Sequence, residues 1–235
     1  PGTPTPITVE GEQNIFMVPA IYATYRLHER LAVGFGTYVP FGLGVEWADS
    51  FKQNGNTIPW WGRSTVREIE VQTVFLNLSV AAKLHERVYV GAGFVVGLGA
   101  VHLKRSVTLS NNLSDDINVE LSGDDVGFGA TAGLLVQVIP ELLHVGVSYK
   151  SAVKFNFSGS AAFTQNGTPN IPTGLRASLV DGKVEAPLTM PHTFSFGITA
   201  FPLERLIVGL NVDVVTWSSY SSLDVNFIDT PQLSS

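Results

Sequence analysis

The sequence predicts an all-β protein, an antiparallel up-and-down β-barrel that crosses a membrane with its strands. Apolar residues alternate with small or polar residues over long runs, and the runs are joined in turn by very short polar turns and by long polar segments. Transmembrane barrels of this kind place short turns at the periplasmic rim and long loops outside. The short turns are residues 28–30, 85–87, 140–142 and 203–205, and the long segments are residues 46–67, 107–124 and 159–187.

The composition agrees with a surface that largely avoids water. Charged residues make up 14% of the chain, whereas a soluble domain usually carries about a quarter. No apolar run reaches the roughly 18 residues that a transmembrane helix needs, so the strands have to cross the membrane. The chain contains no cysteine, which excludes thiol chemistry and cysteine-bound metals, and its net charge of -6 argues against nucleic acid as a partner.

We predict eight strands, most of them at least as long as the roughly 9–11 residues that cross a bilayer. Their approximate bounds are residues 14–27, 31–45, 68–84, 88–106, 125–139, 142–158, 188–201 and 206–227. With the short turns in the periplasm, both ends of the chain fall outside, whereas a complete barrel starts and ends in the periplasm. We therefore expect residues 1–235 to form a single barrel domain or a fragment of one, with no separate plug domain.

Side chains alternate between the two faces of a strand, and here the faces differ in character. One face is apolar and almost free of charge, which suits lipid, and the other is rich in glycine and polar residues, which suits a crowded lumen. Residues predicted to face lipid include Phe128, Val145, Val147, Val153, Phe155, Val208 and Leu210. Residues predicted to face the lumen include Gly127, Gly129, Lys150, Lys154, Asn211 and Asp213.

Several stretches, taken in their order along the chain, resemble the FadL/TodX family of outer-membrane transporters. They are FMVPA at residues 16–20, HERLAVG at 28–34, PFGLGVEW at 40–47, LNLSVA at 76–81, VGAG at 90–93, VSYKSAVKF at 147–155 with Gly159 after it, LTMP at 188–191 and WSSY at 217–220. The resemblance implies a fourteen-stranded barrel with an N-terminal plug, the hatch. This chain resembles the central eight strands, and the hatch and the last strands have no counterpart in it.

The resemblance also implies passive import of long-chain fatty acids or hydrocarbons through the outer membrane of a Gram-negative bacterium. In the family, cargo leaves sideways into the membrane through a gap beside a kinked strand. Pro40, Gly42 and Gly44 lie in the stretch that resembles this strand, so they are the candidate kink and lateral gate. Proline cannot donate to a ladder and glycine often marks a bend, but the strand could also simply end near Tyr38.

Lys150, Lys154 and Asp213 are charged residues that the alternation places in the lumen. Charge in a lumen either lines a pathway or pairs with other charge. A lumen lysine could bind the carboxylate of an amphiphilic cargo while apolar residues bind its tail. Alternatively, these residues form a structural lysine–aspartate pair in the wall or pair with the hatch.

The sequence favours a transporter over other classes of protein. We expect no enzyme, metal or cofactor, because neither a Ser/His/Asp arrangement nor ligand spacing among the histidines can be found. The alternative function is a scaffold subunit of an outer-membrane secretion or surface assembly, which predicts a stable partner and no cargo. The expected partners are membrane lipid and a hydrophobic cargo, with detergent bound in an experimental structure, and the sequence identifies no protein partner.

Overall fold

The computed structural model describes residues 9–12, 18–53, 55–110, 112–165, 179–219 and 224–228. The strands are β1 (Ile21–His28), β2 (Leu31–Tyr38), β3 (Gly42–Glu46), β4 (Ser50–Gln53), β5 (Asn56–Pro59), β6 (Glu68–His85), β7 (Val88–Val107), β8 (Ile117–Ile139), β9 (Leu143–Lys150), β10 (Val153–Gln165), β11 (Gly182–Met190), β12 (Thr193–Leu203), β13 (Leu206–Val215) and β14 (Asn226–Phe227). Short 3-10 helices occupy Trp61–Ser64, Leu113–Asp115 and Trp217–Ser219. Residues 14–17 of the first predicted strand, and Tyr220, lie outside the described residues. In the described part of the chain, no helix is long and apolar enough to span a membrane.

The strands form a curved antiparallel wall. In three places, two consecutive strands lie end to end and together form one strand of the wall. In order, the wall strands are β1, β2–β3, β6, β7, β8, β9–β10, β11–β12 and β13. These are the eight strands of the prediction. Because every neighbouring pair is antiparallel, all four short turns lie at one rim, the turn rim, as predicted, and the longer connections lie at the opposite loop rim. The described residues do not close the wall into a barrel, since β1 and β13 are its edges.

The structure differs from the prediction at the loop rim, where strands extend into two of the predicted loops. β8 begins at Ile117, inside the predicted loop 107–124, and β10 runs to Gln165, inside the predicted loop 159–187. Apolar alternation continues in these extensions, and Ile117 is fully buried. The predicted loop 46–67 contains the hairpin β4–β5 and a 3-10 helix. The strand extensions therefore shorten two of the three predicted loops.

Three wall strands are interrupted where the prediction has continuous strands. β2 gives way to β3 across residues 39–41, β9 to β10 across residues 151–152, and β11 to β12 across residues 191–192. The last predicted strand is also divided, since β13 stops at Val215 and β14, which pairs with β11, contains only Asn226 and Phe227. The interruptions decide where the candidate site residues point, because a slip of one residue turns every later side chain to the other face.

Contacts between strands that are far apart in the wall identify its concave face. The Lys150 ammonium of β9 lies 5.1 Å from the centroid of the Tyr38 ring of β2, although β6, β7 and β8 separate these strands. Phe75 of β6 likewise meets Phe155 of β10, with ring centroids 6.5 Å apart. The wall therefore curves around this face, called the inner face below, and the opposite face is the outer face.

An apolar cluster fills the inner face toward the loop rim. Its buried members are Phe75, Val95, Val101, Val153, Phe155, Phe157, Ala186 and Met190. Gly97 and Gly99 make room for two of the rings, because a Cβ at Gly97 would lie 2.9 Å from Phe155 and one at Gly99 would lie 2.8 Å from Phe157. Toward the turn rim the inner face becomes polar, and its residues there include Asn77, Ser79, Thr131, Ser148, Lys150, Ser195, Asn211 and Asp213.

The outer face is apolar and exposed, as a lipid-facing wall requires. Its large exposed side chains include Phe35, Leu78, Phe94, Leu98, Phe128, Val147, Phe194, Phe196, Val208, Leu210 and Val212. The prediction is confirmed for Phe128, Val147, Val208 and Leu210, whose exposed fractions lie between 40% and 67%. Val145 shares their face. Val153 and Phe155, which were predicted to face lipid, belong instead to the apolar cluster on the inner face.

Candidate functional site

Lys150 lies where the apolar and polar parts of the inner face meet. Its ammonium lies over the Tyr38 ring, and that ring also contacts Phe75 of the apolar cluster, with ring centroids 6.0 Å apart. A cation over an aromatic face is attracted by the ring quadrupole. Among the described residues, the ion pairs involve other side chains and not Lys150. The inner face therefore presents an ammonium group to which no carboxylate of the described chain is bound.

Asp213 also lies on the inner face, on β13, with β12 between it and β9. Ser195 Oγ donates a hydrogen bond to one carboxylate oxygen of Asp213, and Asn211 Nδ2 donates to the other at 2.8 Å. The carboxylate is thus held by its neighbours on β12 and β13 rather than by Lys150. Among the described residues, Lys150 and Asp213 form no direct ion pair, although the Lys150 charge acts on the Asp213 carboxylate from a distance.

β9 and β10 present opposite sets of side chains to the inner face. β8 pairs with both strands, matching Thr131 with Lys150 in β9 and Asp124 with Ser158 in β10. Between these two pairs the chain advances seven residues along β8 and eight along the facing strand. The additional residue turns the side chains of β10 over relative to those of β9.

The prediction that Lys154 shares the lumen with Lys150 is wrong because of this switch. Val153 and Phe155 are only 1% and 3% exposed and pack on the inner face. Lys154, which lies between them, is exposed on the outer face. Strict alternation along a single continuous strand would have kept both lysines on one face, so the error follows from the interruption at residues 151–152.

β2 and β3 are joined by a bulge that contains Pro40. Pairing with β6 stops at Tyr38 and resumes at Gly42, with one residue more on this side than on β6. The Phe41 carbonyl accepts hydrogen bonds from Thr73, at 3.2 Å from the backbone N–H and at 2.7 Å from Oγ1. Pro40 has no N–H and therefore leaves no donor unsatisfied here. Since β3 continues the pairing, the strand is interrupted at Pro40 and does not end near Tyr38.

The bulge brings Phe41 into contact with a part of the chain that is remote in sequence. The Phe41 ring lies edge-on to Trp217, with ring centroids 5.3 Å apart, and Trp217 follows β13 at the other edge of the wall. Gly44 lies within β3, paired with Glu70, rather than in the bulge. The proline signals the interruption in the sequence, but no local signal connects Phe41 to Trp217.

Comparison with known proteins places these features in a family. The family model described as "Outer membrane protein transport protein (OMPP1/FadL/TodX)" matches residues 10–235. The chain is 22% identical over 233 residues to the long-chain fatty acid transport protein of Escherichia coli O6:H1, an alignment that covers 88% of this chain and 50% of that protein. It is 29% identical over 160 residues to the 47 kDa outer membrane protein of Pasteurella multocida, covering 61% and 34%.

Solved structures show the same fold at low sequence identity. A FadL homologue of Pseudomonas aeruginosa superposes with a TM-score of 0.78 at 16% identity, over 89% of this chain and 51% of that one. The toluene transporter TbuX of Ralstonia pickettii superposes with a TM-score of 0.68 at 19% identity, over 89% and 57%. The chain thus spans about half the length of the Escherichia coli protein and of the FadL homologue, and about a third of the Pasteurella multocida protein. Because the family model covers nearly the whole chain, the chain belongs to the OMPP1/FadL/TodX family of outer-membrane transport proteins.

Proposed function

We propose that the protein containing this chain admits hydrophobic small molecules passively through the outer membrane, with fatty acids as the principal cargo and hydrocarbons as the other candidate. The observation that carries the proposal is the inner face, which is apolar toward the loop rim and polar toward the turn rim behind an outer face exposed to lipid. One relative is named for long-chain fatty acid transport and two structural neighbours for toluene and monoaromatic hydrocarbons. No catalytic step is part of the proposed function.

Lys150 favours an amphiphilic cargo over a plain hydrocarbon. Its ammonium lies at the boundary of the apolar cluster, beside Tyr38, and forms no ion pair with the described chain. A carboxylate bound there would satisfy the ammonium while the acyl tail lies against the apolar cluster. A neutral hydrocarbon would use the apolar residues alone.

Replacing Lys150 with methionine is expected to weaken oleate binding about tenfold, because a charge-assisted hydrogen bond is lost while the apolar contacts remain. Toluene binding should be unchanged, since toluene has no group for the ammonium. The measurement is equilibrium binding of labelled oleate and labelled toluene to the purified full-length protein in detergent.

Lys154→Met is the matched control, because Lys154 has the same side chain but points to the outer face. It should leave the affinity for both molecules unchanged. Equal weakening of oleate binding by the two substitutions would contradict a role for the inner face. A wild-type protein that binds neither molecule would contradict the proposed function itself.

The bulge at Pro40 is the proposed exit from the lumen to the bilayer. The ladder between β2–β3 and β6 is already interrupted there, so the wall can part without stranding several buried backbone donors. The apolar ring of Phe41 lies on the inner side of this bulge, against Trp217. Apolar cargo would pass these rings on its way to lipid.

Straightening the bulge is expected to slow uptake several-fold. Deleting Pro40 leaves equal numbers of residues on both sides of the interruption, and replacing Gly42 with threonine favours the strand, since a Cβ at Gly42 makes only an ordinary contact 3.6 Å from Val39. Uptake of labelled oleate by cells carrying the full-length variant is the measurement, and Gly42→Thr alone is the control. Unchanged uptake in a folded deletion variant would remove the bulge from the mechanism.

A further inference from the structure

The wall has a second interruption, between β8 and the strand β9–β10. Residues 125–130 and residues 151–157 face each other across it. The structure describes both stretches throughout, and the register pairs no residue of one stretch with a residue of the other. At the end nearer the turn rim, Ser151 closes the gap by donating its N–H to the Ala130 carbonyl at 2.8 Å and accepting the Ala130 N–H on Oγ at 2.8 Å. At the end nearer the loop rim, the N–H of Asn156 donates to the Asp125 carboxylate at 2.6 Å instead of to the backbone of β8.

The hairpin β10–β11 is interrupted on both of its strands at the same level. Lys150 pairs with Thr193 below the interruption and Val153 pairs with Met190 above it, so the register between the two strands does not change. His192 joins the two interruptions, because its Nδ1 lies 3.1 Å from the Ala152 N–H donor. The hairpin therefore keeps its own ladder directly above residues 151–152 and 191–192, and it is paired to β8 again only from Ser158 onward.

Side chains and the Lys154 carbonyl, which would lie 2.7 Å from a Cβ at Gly127, close the gap in place of a backbone ladder. Val153 lies directly over two glycines of β8, so that a Cβ at Gly127 would lie 2.5 Å, and one at Gly129 2.8 Å, from its methyl groups. On the outer side, the lip of the gap is Phe128, which is 60% exposed and stacks on Phe94 with ring centroids 5.9 Å apart. Val153 and the Lys154 carbonyl thus separate the apolar cluster from an apolar surface that faces lipid.

We propose that this gap is a second portal in the wall, through which an acyl chain passes between the lumen and the bilayer. The six β8 residues along the gap span about 20 Å, which accommodates an extended acyl chain. Opening the gap requires Val153 and the Lys154 carbonyl to move away from Gly127. It breaks no ladder between β8 and the facing strand over this stretch, because the register pairs no residues of these two strands there. The portal is separate from the bulge at Pro40, since β6 and β7 lie between β2–β3 and β8. The inference rests on the proposed function, because it names a further route for the same cargo.

A disulfide across the gap tests the portal. The double variant Gly129→Cys with Val153→Cys places a sulfur near the present Val153 methyl, 2.8 Å from the Cβ at residue 129, and the sequence contains no other cysteine. The matched control is Gly133→Cys with Ser148→Cys, where the Cβ positions lie 3.9 Å apart across a ladder that is already closed. Both variants are compared oxidised and reduced, as full-length protein in lipid vesicles, with a diazirine-bearing palmitic acid as the probe.

Photolabelling of residues 125–130 and 152–157 is expected in the wild type and in the reduced variant. Oxidation of the 129–153 pair should lower it at least about fivefold, and oxidation of the 133–148 pair should leave it unchanged. Absence of labelling in the wild type, or labelling that is unaffected by the 129–153 disulfide, overturns the portal. Photolabelling measures occupancy of the gap and does not require transport. It therefore tests the portal even if the wild-type protein shows no uptake and the proposed function is wrong.

Uptake separates the two routes. The variant for this test combines the deletion of Pro40 with Gly129→Cys and Val153→Cys. In cells that carry it, the residual oleate uptake should fall on oxidation of the 129–153 pair and recover on reduction. Residual uptake that does not respond to oxidation overturns the portal while leaving transport intact. A complete loss of uptake on deletion of Pro40 also overturns it, because the bulge would then be the sole route.

Discussion

Replacing Phe157 with alanine is expected to lower the free energy of unfolding by about 3–5 kcal/mol. Phe157 is only 1% exposed, stacks on Phe155 with ring centroids 5.3 Å apart, and lies against Gly99. The surrounding strands are held by their ladders and cannot collapse into the space, so the loss of apolar contact is uncompensated. Urea unfolding of the full-length protein in lipid vesicles, followed by tryptophan fluorescence, measures the change.

Phe128→Ala is the control for this substitution. It removes the same ring from the outer face, where lipid can replace the lost contacts, so its cost should stay within about 1 kcal/mol. Equal destabilisation by the two substitutions would contradict the assignment of Phe157 to the packed inner face.

Replacing Val147 with arginine should destabilise the protein by about 2–4 kcal/mol if the residue lies near the bilayer midplane. Val147 is 40% exposed on the outer face, and its cross-strand neighbours are the apolar residues Leu134 and Phe196. An arginine there carries its charge into hydrocarbon. Refolding into lipid vesicles at graded urea concentrations gives the difference in free energy.

Ser148→Arg provides the comparison, because Ser148 is the next residue along β9 and points to the polar part of the inner face. Its arginine would reach water and polar side chains, so the penalty should be much smaller. If Val147→Arg refolds without any penalty, its side chain does not face lipid.

The wall itself could be predicted from the sequence because its signals are local. Apolar residues that alternate with a period of two indicate a strand with one buried or lipid-facing side, and a short stretch of sequence is enough to show it. A turn of two or three polar residues likewise indicates that the two strands it joins are antiparallel neighbours. The four turns and the eight wall strands follow from these two signals. Pro40 is also a local signal, since proline is incompatible with an uninterrupted ladder.

The switch of faces at residues 151–152 could not be predicted in the same way. It depends on one additional residue relative to β8, which is a property of the pairing and not of β9 or β10 alone. The residue types of Val153 and Phe155 do not indicate the change of face, because an apolar residue suits lipid contact and a packed interior equally well. Lys154 was therefore assigned to the wrong face, while Lys150, before the interruption, was not affected.

The remaining parts of the site depend on contacts between distant residues. The position of Lys150 over Tyr38 and the contact of Phe41 with Trp217 arise from the curvature of the wall. Curvature is set by twist and bulges across many strands, so no single stretch of sequence encodes it. The resemblance to the FadL/TodX family supplied the transport hypothesis, and the inner face supplies the residues with which it can be tested.

Uptake of labelled oleate and labelled toluene by cells lacking their own fatty-acid transporter is the most direct test of the proposed function. Cells that carry the full-length protein should take up at least one of the two molecules faster than cells with an empty vector, and excess unlabelled molecule should compete. Uptake no faster than in the empty-vector cells, with the protein folded in the outer membrane, would contradict transport and favour a scaffold subunit of a surface assembly.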